Sequence, residues 1–313
     1  MMETSPFWSA LQELFRALLV LLSGGVSSGA NEVPPDELAK MAHLPSQQAL
    51  LFLEPDGELC DEDALSLELR LNTMNISAQP VEKTNRHLIF HLSGPLPDNE
   101  EMERIVNPGR LKMAAIDRTE EWFNLIPDEL RQGLDFAKLP PTHGIAPALS
   151  SADKATLQQA TPYLLENGLE PFIYEWRESP ETAATVRYFL GVLRSESSIS
   201  DFMWQAAHIE KDAYSPERYN IHMLLNNQGQ ALLKKLTGDN IGKPVVMVLD
   251  GDALTIPIVV EQITSGKTLV VTPSSGFNSD LTDHAREILL LNAVLNHGPL
   301  RTPWKIVHME RVP

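Results

Sequence analysis

Thiols are almost absent from this sequence. Its single cysteine, Cys60, has no partner for an intrachain disulfide, so packing must hold the fold. A lone cysteine neither requires nor excludes an oxidising compartment. Long apolar runs are scarce too: nothing after residue 30 approaches the ~20 apolar residues that a membrane-spanning helix requires. Basic residues are few, 25 against 42 acidic ones, for a formal charge of -17. That balance repels phosphate backbones and anionic headgroups, which argues against nucleic acid as a partner. No H-E-x-x-H motif, internal repeat or low-complexity tract occurs. What is present is enough apolar material, 43% of 313 residues, to bury real cores, and the length suggests two domains.

The N-terminal stretch carries an apolar run from Phe15 to Leu22, then Ser23 to Ala30, then polar sequence with Pro34 and Pro35. Ser28 and Ala30 are small residues at the spacing an export peptidase reads, as in a secretory signal. Glu3 and Glu13 offset Arg16 in the leading region, and residues 7–22 equally fit an amphipathic helix. Residues 1–30 are therefore expected to be a signal-like or anchoring segment. Gly25, Ser27 and Gly29 match the G-x-S-x-G elbow, but that motif needs a strand before it and a helix after it. Neither context is present, so the match reads as coincidence. Gly24 and Gly29 have Walker-type separation, yet Ala30 stands where the phosphate-binding lysine belongs.

From Gln48 onward, periodicity predicts a strand at 49–53, a turn at Pro55-Asp56-Gly57 and a helix over 61–75, with Leu65, Leu69 and Asn72 on one stripe and Leu67 and Leu71 beside it. Acidic residues crowd the first turn of that helix, as its dipole favours. Two strands follow, around Val81 and over 88–92, joined by a polar loop at 82–86. A short helix from Pro97-Asp98 to Val106 stops at Asn107-Pro108-Gly109, and 111–116 reads as another strand. This β-α-β-β-α-β order is the split pattern of ferredoxin-like sandwiches. The middle is less patterned. It offers a Pro-rich loop at 138–147, a helix over 153–167 stopped at Gly168, strands at 172–176 and 187–193, and a short helix or turn at 200–207. Order returns at Tyr219. A strand at 221–225, a helix at 228–236, strands at 245–249 and 253–258 around the hairpin dipeptide Asp250-Gly251, and a strand at 268–272 lead into a helix over 281–295. That helix places Leu281, Ala285, Ile288, Leu291 and Leu295 on its buried stripe and stops at Gly298-Pro299. Residues 305–312 read as the last strand.

The run Leu236-Thr-Gly-Asp-Asn-Ile-Gly-Lys243, then Val248-Leu-Asp-Gly-Asp252, Ile256-Pro-Ile258, Gly266, and Gly298-Pro-Leu-Arg-Thr-Pro-Trp-Lys-Ile-Val307 resembles the first extracytoplasmic domain of SecD, a subunit of the SecDF protein-export apparatus. Residues 64–75, Pro80-Val81, 88–94 and 102–116 are similar to the base of that domain. The resemblance implies an α+β fold, a ferredoxin-like split βαβ base with an inserted α+β head. Residues 31–117 would form the first part of the base, 118–276 the head, and 277–313 the last helix and strand of the base. It also implies a head that engages polypeptide emerging from a translocation channel. The membrane helices that follow this domain in SecD are missing from the sequence, so no proton coupling is expected of it. At Thr272-Pro-Ser-Ser-Gly-Phe-Asn278 it departs from the family pattern.

Residue chemistry adds no catalytic centre. Asp56, Glu58, Asp61, Glu62 and Asp63 offer carboxylate oxygens of the kind calcium takes, but their spacing follows no known loop and a solvated helix N-terminus accounts for them. Asp250 and Asp252 read as turn residues beside a hairpin glycine. His208 and His222 belong to no metal-binding motif, and the thiolate of Cys60 is disfavoured beside an acidic run. Trp122, Trp176, Trp204 and Trp304 are either core or exposed anchors for unfolded segments. The expected role is thus non-enzymatic, with no cofactor or metal: a periplasmic or otherwise extracytoplasmic domain binding unfolded or exported polypeptide, the Sec translocon or another envelope protein. An adaptor that kept the fold without the transport role is the alternative. The sequence does not locate the polypeptide-contacting residues, but exposed strand edges in the head are the expected means, since backbone pairing tolerates any sequence.

Overall fold

The computed structural model describes residues 33–35, 37–38, 46–84, 86–140, 146–177, 186–212, 218–265, 267–270 and 281–312. The expectations for residues 1–30, for the motifs between Gly24 and Ala30, for Gly266 and for 272–278 lie outside the described residues. In chain order the elements are β1 (Gln47–Pro55), α1 (Asp61–Thr73), β2 (Ser77–Lys83), β3 (Leu88–Gly94), α2 (Asn99–Val106), β4 (Leu111–Ile116), a 3-10 turn (Glu121–Leu125), α3 (Asp128–Arg131), β5 (Asp135–Lys138) and β6 (Pro147–Ser151). They continue with α4 (Lys154–Gln158), α5 (Thr161–Glu166), β7 (Glu170–Arg177), β8 (Val186–Ile199), a 3-10 turn (Asp201–Met203), β9 (Trp204–Lys211) and β10 (Tyr219–Leu225). The last elements are α6 (Asn227–Asp239), β11 (Val245–Leu249), β12 (Asp252–Thr255), β13 (Lys267–Val270), α7 (Leu281–Asn296) and β14 (Trp304–Val312). The fold is mixed α+β.

Two compact units share this chain. Of the described residues, one gathers those within 112–205 and 224–270, the other those within 33–111, 206–223 and 281–312. Residues 206–223, which the sequence reading set inside one unbroken insertion from 118 to 276, thus cluster with the early and late segments.

The unit containing both chain-distal segments is layered. Its four-stranded sheet has the order β14-β1-β3-β2, with every neighbouring pair antiparallel. The strand at 111–116, expected to complete the early βαββαβ pattern, is absent from this sheet, and the place beside β1 is taken by the last strand, from Gln48↔Val312 to Pro55↔Trp304. Helices α1, α2 and α7 pack together. Capping decides where α2 starts: Asp98 accepts from the Glu101 amide while Glu101 reaches back to the Asp98 amide, so two orphan donors are satisfied at once.

The stripe expected on α1 is turned. Leu65 is 56% exposed and Leu69 39% exposed, and Asn72 is also exposed, whereas Asp63, Ala64, Leu67, Arg70 and Leu71 face inward. Two charged residues on the buried face cause the shift. The Asp63 carboxylate, 2% exposed, accepts from the amides of Arg301 and Thr302 at 3.0 and 3.1 Å, so it is not part of a solvated acidic N-terminus. Two turns on, Arg70 is wholly buried and donates to the carbonyls of Ile105, Asn107, Pro108 and Gly298 at 2.6–2.8 Å. Its guanidinium therefore lies where α2 and α7 end, at the negative poles of both helices. Gly109 makes room for it: at φ +77° a Cβ there would sit 2.7 Å from Arg70 Nη2 and 2.6 Å from Val294 Cγ1. α7 is buried almost all round from Ile288 to Val294, as a helix enclosed by neighbours must be. Its stripe holds at Ala285, Ile288 and Leu291, while Leu295 is only half-buried.

The second unit is built on a seven-stranded sheet of order β4-β11-β12-β7-β8-β6-β5, in which β4 also pairs with the far half of β8. That extra pairing closes β4, β11, β12, β7 and β8 into a ring, and β6 and β5 branch from it. All five ring strands send residues to one core, among them Ala114, Ile116, Phe172, Tyr174, Phe189, Val246, Val248 and Ala253. Gly191 lies opposite Phe172, and a Cβ at that glycine would meet the ring at 2.5 Å. The opposite face of β6, β7 and β8 packs Leu149, Ile173, Leu190 and Val192 against Trp122, Phe123, Leu157 and Leu164. Helix 153–167 is broken into α4 and α5, because Pro162 has no N–H to continue the first ladder and instead occupies the first turn of the next helix. Residues 200–207 hold the 3-10 turn and the start of strand β9, whose alternation is blurred by Ala206, Ala207 and His208. At the β11–β12 hairpin, Asp250 and Gly251 have φ of 50° and 91°, the left-handed pair that a two-residue I′ turn demands.

Arg70→Met is expected to lower the unfolding free energy in urea by about 3 kcal/mol or more, since hydrogen bonds to a charged donor are each worth roughly 1.5–3 kcal/mol. Gly109→Ala should cost clearly more than Gly168→Ala, which has similar φ but no atom within 4 Å, and whose penalty should stay near about 1 kcal/mol. Equal losses at the two glycines would show that crowding around Arg70 contributes nothing.

Candidate functional site

The acidic cluster disperses in three dimensions. Asp61 pairs with Lys83, Glu62 with Arg301, and Asp63 is held by backbone amides. Asp252 meets Lys154 at 2.8 Å, and Asp250 is a turn residue. Among the described residues no group of three or more His, Cys, Asp or Glu side chains is placed to hold a metal ion. His222 lies 3.6 Å from Glu210 on the neighbouring strand, and His87 is 2.8 Å from Glu82 across a hairpin loop. Cys60 is half-buried just before α1. Trp122 and Trp304 are core residues; Trp176 and Trp204 are half-buried.

Surfaces are more informative than titratable groups. Both edges of the four-stranded sheet are obstructed for further pairing. On β2, Pro80 removes a donor and the register shifts between Pro80 and Glu82; on β14 it shifts at Val307, between the partners of Phe52 and Leu53. Bulges and edge prolines are the usual means of keeping a sheet from growing. The seven-stranded sheet ends differently. Its last strand, β5, has an unbroken register to β6 and contains neither proline nor bulge. Phe136 in the middle of β5 is 65% exposed, the highest value for a large apolar side chain among the described residues. Its ring stands edge-on to Phe123 at 5.0 Å, and Phe123 in turn contacts Trp122 at 4.2 Å. The turn that carries Phe123 also presents Leu125 to solvent.

Residues 190–288 match the family model of the SecDF P1 head subdomain. The chain carries a SecD-family P1 domain. It is 30% identical over 132 residues to the protein translocase subunit SecD of Rhodothermus marinus, a match covering 42% of this chain and 19% of that relative. A second relative, the protein translocase subunit SecDF of Thermus thermophilus, is 30% identical over 95 residues, covering 30% of this chain and 12% of its own length. The chain thus spans under a fifth of the curated relatives it matches. Among solved structures, one of SecDF in a super-membrane-facing form aligns with 98% of this chain and 35% of its own at 17% identity and a TM-score of 0.47. Another, of a membrane component SecDF that enhances protein export, aligns with 83% of this chain and 98% of its own at 17% identity and a TM-score of 0.46.

In this P1 domain the exposed aromatic edge lies before the matched head segment. The four-residue alternation Asp135-Phe136-Ala137-Lys138 is its only local signal, too short to distinguish a strand from a loop beside the Pro-rich stretch. No helix among the described residues is long and apolar enough to cross a membrane.

Two histidines of the P1 domain, His284 buried and His297 half-buried, tie α7 and the turn after it to their neighbours. His284 Nε2 lies 3.0 Å from the carbonyl oxygen and 3.1 Å from the amide nitrogen of Tyr219, and the two rings stack at 6.4 Å. Burial pushes His284 below the ordinary histidine value; the Tyr219 backbone, Glu287 and Asp212 oppose that shift, and Arg218 adds to it. His297 Nε2 meets Thr73 Oγ1 at 2.7 Å, and burial followed by the charge of Arg70 pushes it down as well. With both folded-state values depressed, the unfolded chain binds more protons once pH falls below about 6.5, so stability is lost on acidification through that range. The urea midpoint is expected to be lower at pH 5 than at pH 7.5, and His284→Gln combined with His297→Gln should narrow that gap. A gap of unchanged size in the double variant would assign the dependence to other groups.

Proposed function

We propose that this chain is a non-enzymatic, extracytoplasmic SecD-type domain that binds polypeptide during or after protein export, alone or beside the Sec translocon or another envelope protein. The observation that carries the reading is the match of residues 190–288 to the SecDF P1 head model. The order β14-β1-β3-β2 with helices α1, α2 and α7 supports reading the layered unit as a ferredoxin-like base and the ring unit as the main body of a head. Residues 1–30 are assigned as the signal-like or anchoring segment that directs the domain across the membrane.

Binding in this reading is to non-native chain, because an unblocked sheet edge beside an exposed aromatic side chain offers backbone pairing that is indifferent to most of the client's sequence. An enzyme would instead need nucleophile, base and oxyanion donors converging in one place.

The full chain, immobilised, is expected to retain a reduced and alkylated polypeptide and to ignore the same polypeptide in its folded, oxidised form. Capture of neither form, or of a folded envelope protein in preference to the unfolded one, would replace the client-binding role with that of an adaptor.

A further inference from the structure

We infer that the outer edge of β5, with the Phe136 ring standing on it, takes up an extended chain segment, and that the segment it favours is apolar and basic. This rests on the polypeptide-binding reading above and gives it a location. Register supplies the first argument. The Leu139 amide donates to the Ala146 carbonyl at 3.0 Å, and in an antiparallel pair hydrogen-bonded and non-hydrogen-bonded positions alternate. Ala137/Ala148 and Asp135/Ser150 are therefore bonded pairs, while Phe136/Leu149 and Lys138/Pro147 are not. Pro147, which has no N–H, falls where none is required. The amide and carbonyl groups of Phe136 and Lys138 consequently point away from β6, on the side where the sheet ends. An incoming strand gains ladder bonds there without displacing any made among the described residues.

Side chains supply the second argument. The Phe136 ring rests on Phe123 and not in a core, so its own exposed face is open to an apolar residue of the incoming strand. The charges on β5 are already met: Lys138 by Glu120 at 3.1 Å, and Asp135 by Arg187. Beyond them the approach is acidic. Residues 117–138 hold six acidic against three basic side chains, and Glu121 and Glu129 are exposed. In a chain whose formal charge is -17, this field attracts lysine and arginine and turns away acidic segments.

The test uses the full chain and a short fluorescent peptide alternating lysine with valine and phenylalanine. Compared with it are a glutamate-for-lysine version and one methylated on alternate backbone nitrogens. The lysine peptide is expected to bind, and both other peptides to bind about tenfold more weakly or not at all. Phe136→Ala should weaken the lysine peptide by about tenfold. Lys138→Ala, which keeps the outward N–H, should retain most of the binding that Lys138→Pro loses. If Lys138→Pro fails to fold by circular dichroism, the methylated peptide on the unaltered chain carries the same question. Equal binding of the methylated peptide overturns the edge. So does retention of unfolded polypeptide by the Phe136→Ala and Lys138→Pro variants at the level of the parent chain, an outcome that leaves the client-binding role standing. A concentration-dependent dimer abolished by Lys138→Pro would reassign the edge to a second copy of the chain.

Discussion

Two charged side chains on one buried face of α1 organise the layered unit. Asp63 fixes the turn that leads into β14, and Arg70, two helical turns away, gathers carbonyls from the end of α2, the loop behind it and the turn after α7. The four carbonyls that Arg70 reaches lie at or just past two helix ends, where the partial negative charge of each helix favours a cation. The rest depends on this arrangement, because each element it touches comes from a different stretch of the chain. With Asp63 in place, Trp304 stands opposite Pro55 and β14 can lie along β1; with Arg70 in place, α2 and α7 end at a common point. The ion pair of Arg104 with Glu287, at 2.7–2.8 Å, and that of Arg286 with Glu101 then connect the outer faces of those two helices.

The ring unit solves the edge problem by a different device. Pairing β4 with both β11 and β8 closes the order of the five ring strands on itself, and Gly191 admits the Phe172 ring where any side chain would collide with it. In the seven-stranded sheet, among the described residues, the branch through β6 reaches an open end. That end is short, with an exposed aromatic side chain at its middle, whereas the two ends of the four-stranded sheet carry register shifts. Obstruction at one pair of edges and openness at another is a difference in kind, since a bulge bends its strand and interrupts the ladder an added strand would need.

Much of this was legible in the sequence, and the failures have identifiable causes. The Asp250-Gly251 hairpin, the end of α2 before Asn107-Pro108-Gly109 and the long closing helix are each specified by local chemistry: positive φ, a missing donor, a sustained apolar period. The stripe on α1 was misplaced because Asp63 read as part of a solvated first turn and a charged Arg70 adds nothing to an apolar period, and nothing local reveals partners more than two hundred residues away, such as Gly298 and Arg301. Strand β9 was missed because Ala206 and Ala207 carry too little apolar contrast for a period of two to show. The membership of β4 is a question of partners, β8 and β11, and periodicity is silent on partners. Phe136 escaped for the opposite reason: an isolated aromatic residue in a polar stretch gives the same signal whether it is buried, exposed or in a loop.

The pairing of β1 with β14 has a consequence for how the chain matures. Gln48 meets Val312, so β1, made early, waits for β14 before that side is covered. Closing so long a span carries an entropic penalty that grows only slowly with length, but the delay is set by synthesis and transit. A polypeptide delivered amino end first would complete its ring, whose strands lie nearer one another in order, while β1 was still exposed on one side. Throughout that interval the young molecule would itself present a strand with one unpaired side, the kind of edge that other chains can add to.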